Sequence, residues 1–316
     1  MTPNDTADRP SERRVGRVVA NHGRHVEVED PAGRRILCRL HGRKLHVVCG
    51  DWVEWALESA DEGLVHGVQP RHHVLERLSM TGKAETVVSN LDRIVAVAAA
   101  KPSPDWQVID RYLAGAEWAG LSAAVAFNKC DLGLSADDER QLDDLAAIGY
   151  PVVRVSTRSA PGVDALAQVL AGVTSVLVGQ SGTGKSSLLN ALVPHARATT
   201  QEISAASEEG RHTTTHAAMH ALPGDGRLID SPGVRDYAPP LPVPAAVGSG
   251  FREIHGLAAH CRFQDCRHLT EPGCAVRAAA EAGTLSQRRY ASYRHLYQLA
   301  RDFEARFPAR RPPRLR

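Results

Sequence analysis

Short stretches in which apolar and polar residues alternate run from Arg14 to about Val68, and the alternation predicts strands over Val15–Ala20, His25–Glu29, Arg34–Leu40, Trp52–Leu57 and Leu64–Val68. Gly23, Gly33, Gly50–Asp51 and Gly63 punctuate them. Short strands at this density, over about 55 residues, suit a small barrel of the OB type. A basic connector follows from Pro70 to Ala84, and then the texture changes. Continuous apolar runs at Ile94–Ala98, Ala123–Phe127, Val152–Val155, Ser175–Val178 and Arg227–Ile229 predict buried strands. Helical periods lie between them at Trp106–Trp118, Asp137–Ile148, Val163–Ala171 and Lys185–Leu192. Strands alternating with helices predict an α/β domain, a largely parallel sheet covered on both faces, with ligands held at the carboxyl ends of its strands. After Tyr237 a run with Pro239, Pro240, Pro242 and Pro244 reads as a tether. Beyond it, Phe251 to Arg316 holds clustered Cys and His and a long helix, which Thr284–Gln287, similar to a capping box, would open. Residues 1–13 have nothing to bury and read as a disordered tail.

Composition narrows the setting without naming an activity. The 316 residues exceed one average domain, and 43% hydrophobic content allows sizeable cores. Six cysteines are too few and too uneven for a disulfide scaffold, and no apolar run is long enough to span a membrane. The polar N-terminus has no secretory pattern, so a soluble, cytoplasmic protein with no membrane contact is expected, acting as a monomer. A net charge of +2 does not by itself announce a nucleic-acid partner. Locally, though, Arg34, Arg35, Arg39, Arg43 and Lys44 stand together with no acidic residue among them. That run reads either as a solvated face or as an RNA-facing side of the barrel.

The chemistry is carried by motifs at strand ends. Gly179-Gln180-Ser181-Gly182-Thr183-Gly184-Lys185-Ser186-Ser187 follows one strand and opens a helix, the context a phosphate loop requires. Its glycines let backbone N–H groups face phosphates, reinforced by the positive end of the helix. Lys185 supplies a cation for the β- and γ-phosphates, and Ser186 a hydroxyl for Mg²⁺. Asn128-Lys129-Cys130-Asp131 ends another strand, and the Asp131 carboxylate can accept from guanine N1–H and its 2-amino group, donors that adenine lacks. Ser156 would support the base. Asp230-Ser231-Pro232-Gly233 closes a third strand: Asp230 would hold Mg²⁺ through water and the Gly233 N–H would sense the γ-phosphate. Between the phosphate loop and Asp230, Gly210–Thr215 forms a polar stretch fit for a switch. One of its threonines, with Thr214 as the candidate, would reach Mg²⁺ and the γ-phosphate. Many GTPases place a water-orienting Gln just after Asp-x-x-Gly. Here Val234 stands there, so His212 becomes the candidate for that task, against a reading in which it only packs or touches RNA.

Cys261, Cys266, His268 and Cys274 have the spacing of a closed Cys₃His zinc site that would help fold a segment too small for its own core. The order of the motifs is the diagnostic feature. Asn128–Asp131 precedes Gly179–Ser187, the reverse of ordinary GTPases, as in a chain cut at a different loop of the same sheet. A basic barrel, a circularly permuted GTPase domain and a Cys₃His domain, in that order, resemble the ribosome small-subunit-dependent GTPase A family. Gly210–Thr214, Asp230–Gly233 and Cys261–Cys274 match its pattern, with Ser156-Thr157-Arg158 departing from its usual Ser-Ala start. The resemblance implies a factor in late assembly of the small ribosomal subunit that touches its rRNA, with a slow GTPase stimulated by that subunit. It implies one structural zinc per chain, Mg²⁺ with GTP, and GTP and GDP as ligands. The expected domains are an OB-fold RNA-binding domain over 14–72, the GTPase domain over 85–245, and a helical zinc domain with a basic tail over 246–316. A competing reading makes the chain an RNA-binding checkpoint for which GTP binding matters and turnover does not.

Overall fold

A computed structural model describes residues 13–42, 44–59, 61–78, 84–193, 217–231, 234 and 237–307. Most of the tail over 1–13 and of the basic end over 306–316 lies outside them, as do His212, Thr214, Gly233 and the rest of the Gly210–Thr215 stretch.

The first five strands are β1 (Arg14–Asn21), β2 (His25–Glu29), β3 (Arg35–Leu40), β4 (Trp52–Leu57) and β5 (Glu62–Val68). They join in the order β1-β2-β3-β5-β4, and β4 pairs back on β1, closing a barrel. Alternate residues turn inward: Val26 and Val28, Ile36 and Cys38, and Val53 and Trp55 form its core. The basic run on β3 is not an unbalanced stripe. Arg34, Arg35 and Arg39 are met by Asp61, Glu29 and Glu58 at 3.7, 3.4 and 2.6 Å, acids that arrive from other parts of the barrel.

The segment expected as a plain basic connector instead contains an antiparallel hairpin, β6 (Val74–Leu78) and β7 (Ala84–Ser89). Among its described apolar side chains only Leu75 and Val88 are deeply buried, too few to show a strand period in the sequence. Asp51, fully buried, fastens barrel to hairpin: it accepts from Arg71 Nε and Nη2 at 2.7 and 2.8 Å and from Ser89 Oγ at 2.6 Å.

The central layer contains β8 (Arg93–Ala99), β9 (Ser122–Asn128), β10 (Val152–Arg154), β11 (Thr174–Val178), β12 (Ala217–Ala221) and β13 (Arg227–Asp230). Its strands run parallel in the order β10-β9-β8-β11-β13, with β12 antiparallel at the end. Helices α1 (Trp106–Trp118), α2 (Ala136–Ala147), α3 (Asp164–Leu170) and α4 (Lys185–Leu192) cover it. Period 2 along β8 separates the two faces. Ile94, Ala96 and Ala98 pack with Ile109, Leu113 and Leu142 of α1 and α2, while Val95 and Val97 pack with Leu166 and Leu188 of α3 and α4. Strand β12, whose Ala-Ala-Met-His-Ala sequence carries no strand signal, joins the layers: Ala20 and Asn21 of β1 pair with Ala218 and Ala217. Barrel and central layer thus share one continuous sheet.

The C-terminal region holds α5 (Arg252–Ala258), α6 (Ala275–Glu281) and α7 (Gln287–Arg306). The capping box does not form. Ser286 sits at the N-cap without a side-chain bond, and Thr284 Oγ1 donates to Ala279 O at 3.2 Å. Nor is the proline run a free tether. Tyr237 stacks on Tyr112 of α1 with ring centroids 6.0 Å apart, and Pro239 lies so close to Gly115 that a Cβ there would stand 2.5 Å away. Only glycine lets the proline run lie against α1.

Candidate nucleotide site and metal centre

Three of the loops carrying motifs leave the carboxyl ends of β9, β11 and β13. In the strand order β8 and β11 are neighbours, and the chain departs from them in opposite directions, so their crevice is the switch point at which such sheets hold ligands. Beside it, over the carboxyl ends of β11 and β13, opens a cleft of about 550 Å³, lined by Lys129, Ser181, Gly182, Gly184, Lys185, Ser186, Ser187 and Asp230. Buried Val234 also lines it, an apolar side chain where a water-orienting amide is common. Arg158, to which the sequence assigned no role, lines the cleft as well.

The remaining candidates sit behind or beside these. Asn128, 1% exposed at the end of β9, donates from Nδ2 to Thr183 O at 2.9 Å. Gly184 has φ +90° and a Cβ on it would meet Asn128 Nδ2 at 2.4 Å, so the phosphate loop and the base-reading motif can touch only through glycine. Lys129 has a left-handed backbone at φ 56°, and its Nζ donates to Lys101 O and Gly182 O, each at 2.7 Å. Its stem therefore bridges the two loops. The Cys130 N–H donates to Val155 O at 3.3 Å, which sets the turn. Asp131 accepts on Oδ1 from Ser156 Oγ at 2.6 Å, and that hydroxyl is itself fixed by the N–H groups of Arg158 and Ser159 at 3.1 and 3.3 Å. One carboxylate oxygen is thus oriented and the other left for a ligand.

Within the phosphate loop, Lys185 Nζ donates to Gly179 O at 2.7 Å and Gln180 O at 2.8 Å, which keeps the ammonium inside the curve of the loop. Thr183 is buried and donates from Oγ1 to Gln180 O at 2.9 Å, so its side chain shapes the loop. The Gln180 side chain turns outward and accepts from Asp105 N–H at 3.2 Å. Ser186 and Asp230 bring a hydroxyl and a carboxylate to one cleft, the hard oxygen donors that magnesium takes.

The second cluster joins Cys261, Cys266, His268 and Cys274, whose ligand atoms all lie within 4.8 Å of one another. Cys261 Sγ stands 3.4 Å from His268 Nδ1 and 3.9 Å from Cys274 Sγ, and Cys274 Sγ stands 3.5 Å from the same nitrogen. A tetrahedral ion with Zn–S bonds of about 2.3 Å spaces its ligands about 3.8 Å apart, so the donor set fits zinc. The loop is braced from α7. Tyr290 donates to His268 O and Tyr293 to Arg267 O, each at 2.7 Å. Glu271 accepts the N–H groups of Arg267, Leu269 and Thr270 at 3.1, 2.9 and 3.0 Å. Burial would raise its pKa, but these donors outweigh it and hold the carboxyl down to about 2.

With this geometry in view, comparison with known proteins is decisive. The family model described as RsgA GTPase matches residues 68–238. The chain belongs to the RsgA GTPase family. It is 43% identical over 289 residues to the small ribosomal subunit biogenesis GTPase RsgA of Chromohalobacter salexigens, covering 90% of this chain and 85% of that one. The protein of the same name from Pseudomonas aeruginosa is 41% identical over 285 residues, covering 89% and 84%. Among solved structures, YjeQ from Thermotoga maritima superposes with a TM-score of 0.74 at 32% identity, over 92% of this chain and 99% of that one. YloQ, described as a circularly permuted GTPase, superposes with a TM-score of 0.73 at 26% identity, over 95% and 98%. The expected fold class holds: a barrel, a permuted α/β GTPase domain and a helical region with a Cys₃His cluster. The chain is a GTPase. Among the described residues no helix is long and apolar enough to cross a membrane.

Proposed function

We propose that this chain hydrolyses GTP in the cleft between β11 and β13 and acts in biogenesis of the small ribosomal subunit, as the names of its relatives say of those proteins. The observation that carries the site is the direct bond between two motifs some fifty residues apart, Asn128 Nδ2 to Thr183 O, which makes the base-reading and phosphate-holding loops one unit. In this reading Asp131 accepts from the guanine edge, Lys129 packs its stem on the ring, and Asn128 and Ser156 fix both. Gly179–Ser187 wraps the phosphates, with Lys185 as its cation. Ser186 and Asp230 would hold Mg²⁺, which when bound neutralises phosphate charge. Cys261, Cys266, His268 and Cys274 would hold one zinc that fixes the fold of the C-terminal region.

Val234 cannot hydrogen-bond to water, which supports a slow intrinsic rate that an assembling subunit raises by ordering the switch. His212 and Thr214 remain the proposed catalytic groups of that switch. Contact with rRNA is supported by the barrel's outer face, where Trp52 is 38% and Val15 40% exposed. One chain carries the base, phosphate and zinc residues together, which supports a monomer, and work on an assembling small subunit would put it in the cytoplasm. The test is GTP turnover by the full chain with and without purified small subunits. Strong stimulation is expected, and equal rates would remove the subunit from the reading.

A further inference from the structure

Asp110 lies in the middle of α1 with its side chain wholly buried. Its carboxylate accepts from Arg288 Nη1 at 2.5 Å, Arg289 Nη1 at 2.9 Å and Ser292 Oγ at 2.6 Å. All three donors stand on α7, so a buried charge of the GTPase domain is satisfied from the C-terminal region. Arg289, only 1% exposed, is shared with Glu253 of α5 at 2.7 and 3.1 Å. Arg288 faces the nucleotide end of the helix. It also donates to the backbone oxygen of Trp106, in the first turn of α1, at 3.3 Å, and to the side-chain carbonyl of Gln141 in α2.

One residue before Trp106, Asp105 caps α1, accepting from the N–H groups of Gln107 and Val108 at 3.0 and 3.2 Å. The Asp105 N–H points the other way and donates to the Gln180 side chain of the phosphate loop at 3.2 Å. The same β8–α1 connection supplies the Lys101 oxygen that holds Lys129. An α7 guanidinium is therefore joined to the phosphate loop by two hydrogen bonds and one peptide unit, across the switch point of the sheet.

We propose that Arg288 is a positioning residue for nucleotide retention: it fixes the N-terminal end of α1, and the Asp105–Gln180 bond passes that constraint to the phosphate loop. The C-terminal region then sets how long nucleotide stays bound, apart from anything it binds itself. The inference rests on reading Gly179–Ser187 as the phosphate loop.

The experiment measures release of a fluorescent GDP from the full-length chain, with zinc content and thermal unfolding recorded for every variant. Arg288→Met leaves Asp110 its bonds to Arg289 and Ser292, so the chain should fold and keep its zinc. Release should speed up about five- to tenfold, the worth of one hydrogen-bonded constraint. Gln180→Ala should do the same from the other end. The double variant should release no faster than either single one, because both cut one connection. Arg288→Lys, which keeps a charge for Asp110 but loses the planar fork, should fall between wild type and Arg288→Met. It replaces Arg288→Met in the same cycle if that variant does not fold. Effects of the two sites that multiply, or wild-type release from the folded, zinc-bound Arg288 variant, would overturn the proposal. Lys185→Ala, run alongside, separates the two failures: undiminished GDP binding there would sink the phosphate-loop reading itself.

Discussion

At the scale of single residues, Asp131 and Ser156 make the sharpest case. Ser156 donates to Asp131 Oδ1, which in the proposed reading leaves the other carboxylate oxygen turned to the base. An Asn at 131 could still accept from Ser156 through its carbonyl oxygen, which would turn its amide N–H toward the ligand. Asp131→Asn is therefore expected to weaken GTP binding by about 10²-fold or more and to favour xanthosine triphosphate, whose 2-oxo group needs a donor. Titration with both nucleotides checks it, and unchanged GTP affinity would refute the base-reading role. Lys185→Ala should abolish nucleotide binding or turnover without unfolding the chain, since its ammonium holds the carbonyls of Gly179 and Gln180 beside an open cleft. Both residues stand out in the sequence because each belongs to a motif made of its neighbours along the chain. Arg158 does not, since its place in the cleft comes from the turn that Ser156 ties, and nothing in the spacing announces that turn. The acids facing Arg34, Arg35 and Arg39 escaped for the same reason: they come from other parts of the barrel.

Elements with a strong period were legible and those shaped by tertiary contact were not. β8, β9 and β11 read directly because both of their faces are buried, leaving unbroken apolar runs. β12 could not be read, because Ala217–Ala221 is a strand only by pairing with β1 on one side and β13 on the other. The capping box failed because the Thr284 hydroxyl found Ala279 O instead. In the Cys₃His loop, residue spacing announced the cluster of donors but not its support, which comes from Glu271 and from two tyrosines on α7. Glu271→Ala leaves three N–H groups without their acceptor. Since water can reach the freed N–H groups of Arg267 and Thr270, it is expected to lower stability by only about 0.5–1.5 kcal/mol and to speed loss of zinc to a chelator. Denaturant melts of the zinc-loaded chain, with chelator release followed by a metal dye, measure both. Wild-type behaviour in the two assays would mean that Tyr290 and Tyr293 hold the loop unaided.

On the scale of the whole molecule, the GTPase core is fastened at both ends. The barrel is held by the β1–β12 pairing and the Asp51–Arg71–Ser89 cluster, the C-terminal region by Asp110 with Arg288, Arg289 and Ser292. The second attachment bears on what truncation does. The sequence alone suggests that a chain ending at residue 245 would lose its C-terminal domain and keep an intact GTPase. The buried contacts argue otherwise. Ending the chain at 245 removes the three α7 donors of Asp110 together with the α7 surface that covers it, so the carboxylate returns to water and what is lost is three hydrogen bonds to a charged acceptor, each worth about 1.5–3 kcal/mol. It would also expose Ala114, which packs with Phe251 and Ile254. The chain ending at 245 is therefore expected to melt well below the full chain and to hold nucleotide weakly, whatever its affinity for a ribosomal partner. Two changes separate the causes. In the truncated chain, where water can reach the carboxylate, Asp110→Leu should change stability by no more than about 0.5 kcal/mol, as at an ordinary surface position. In the full chain the same substitution should destabilise, because it leaves Arg289 with Glu253 alone. A loss in the full chain that vanishes in the truncated one, read by thermal unfolding with GDP present, would show that the C-terminal region completes the GTPase domain through Asp110. Equal losses in both chains would show that Asp110 is satisfied within the GTPase domain instead.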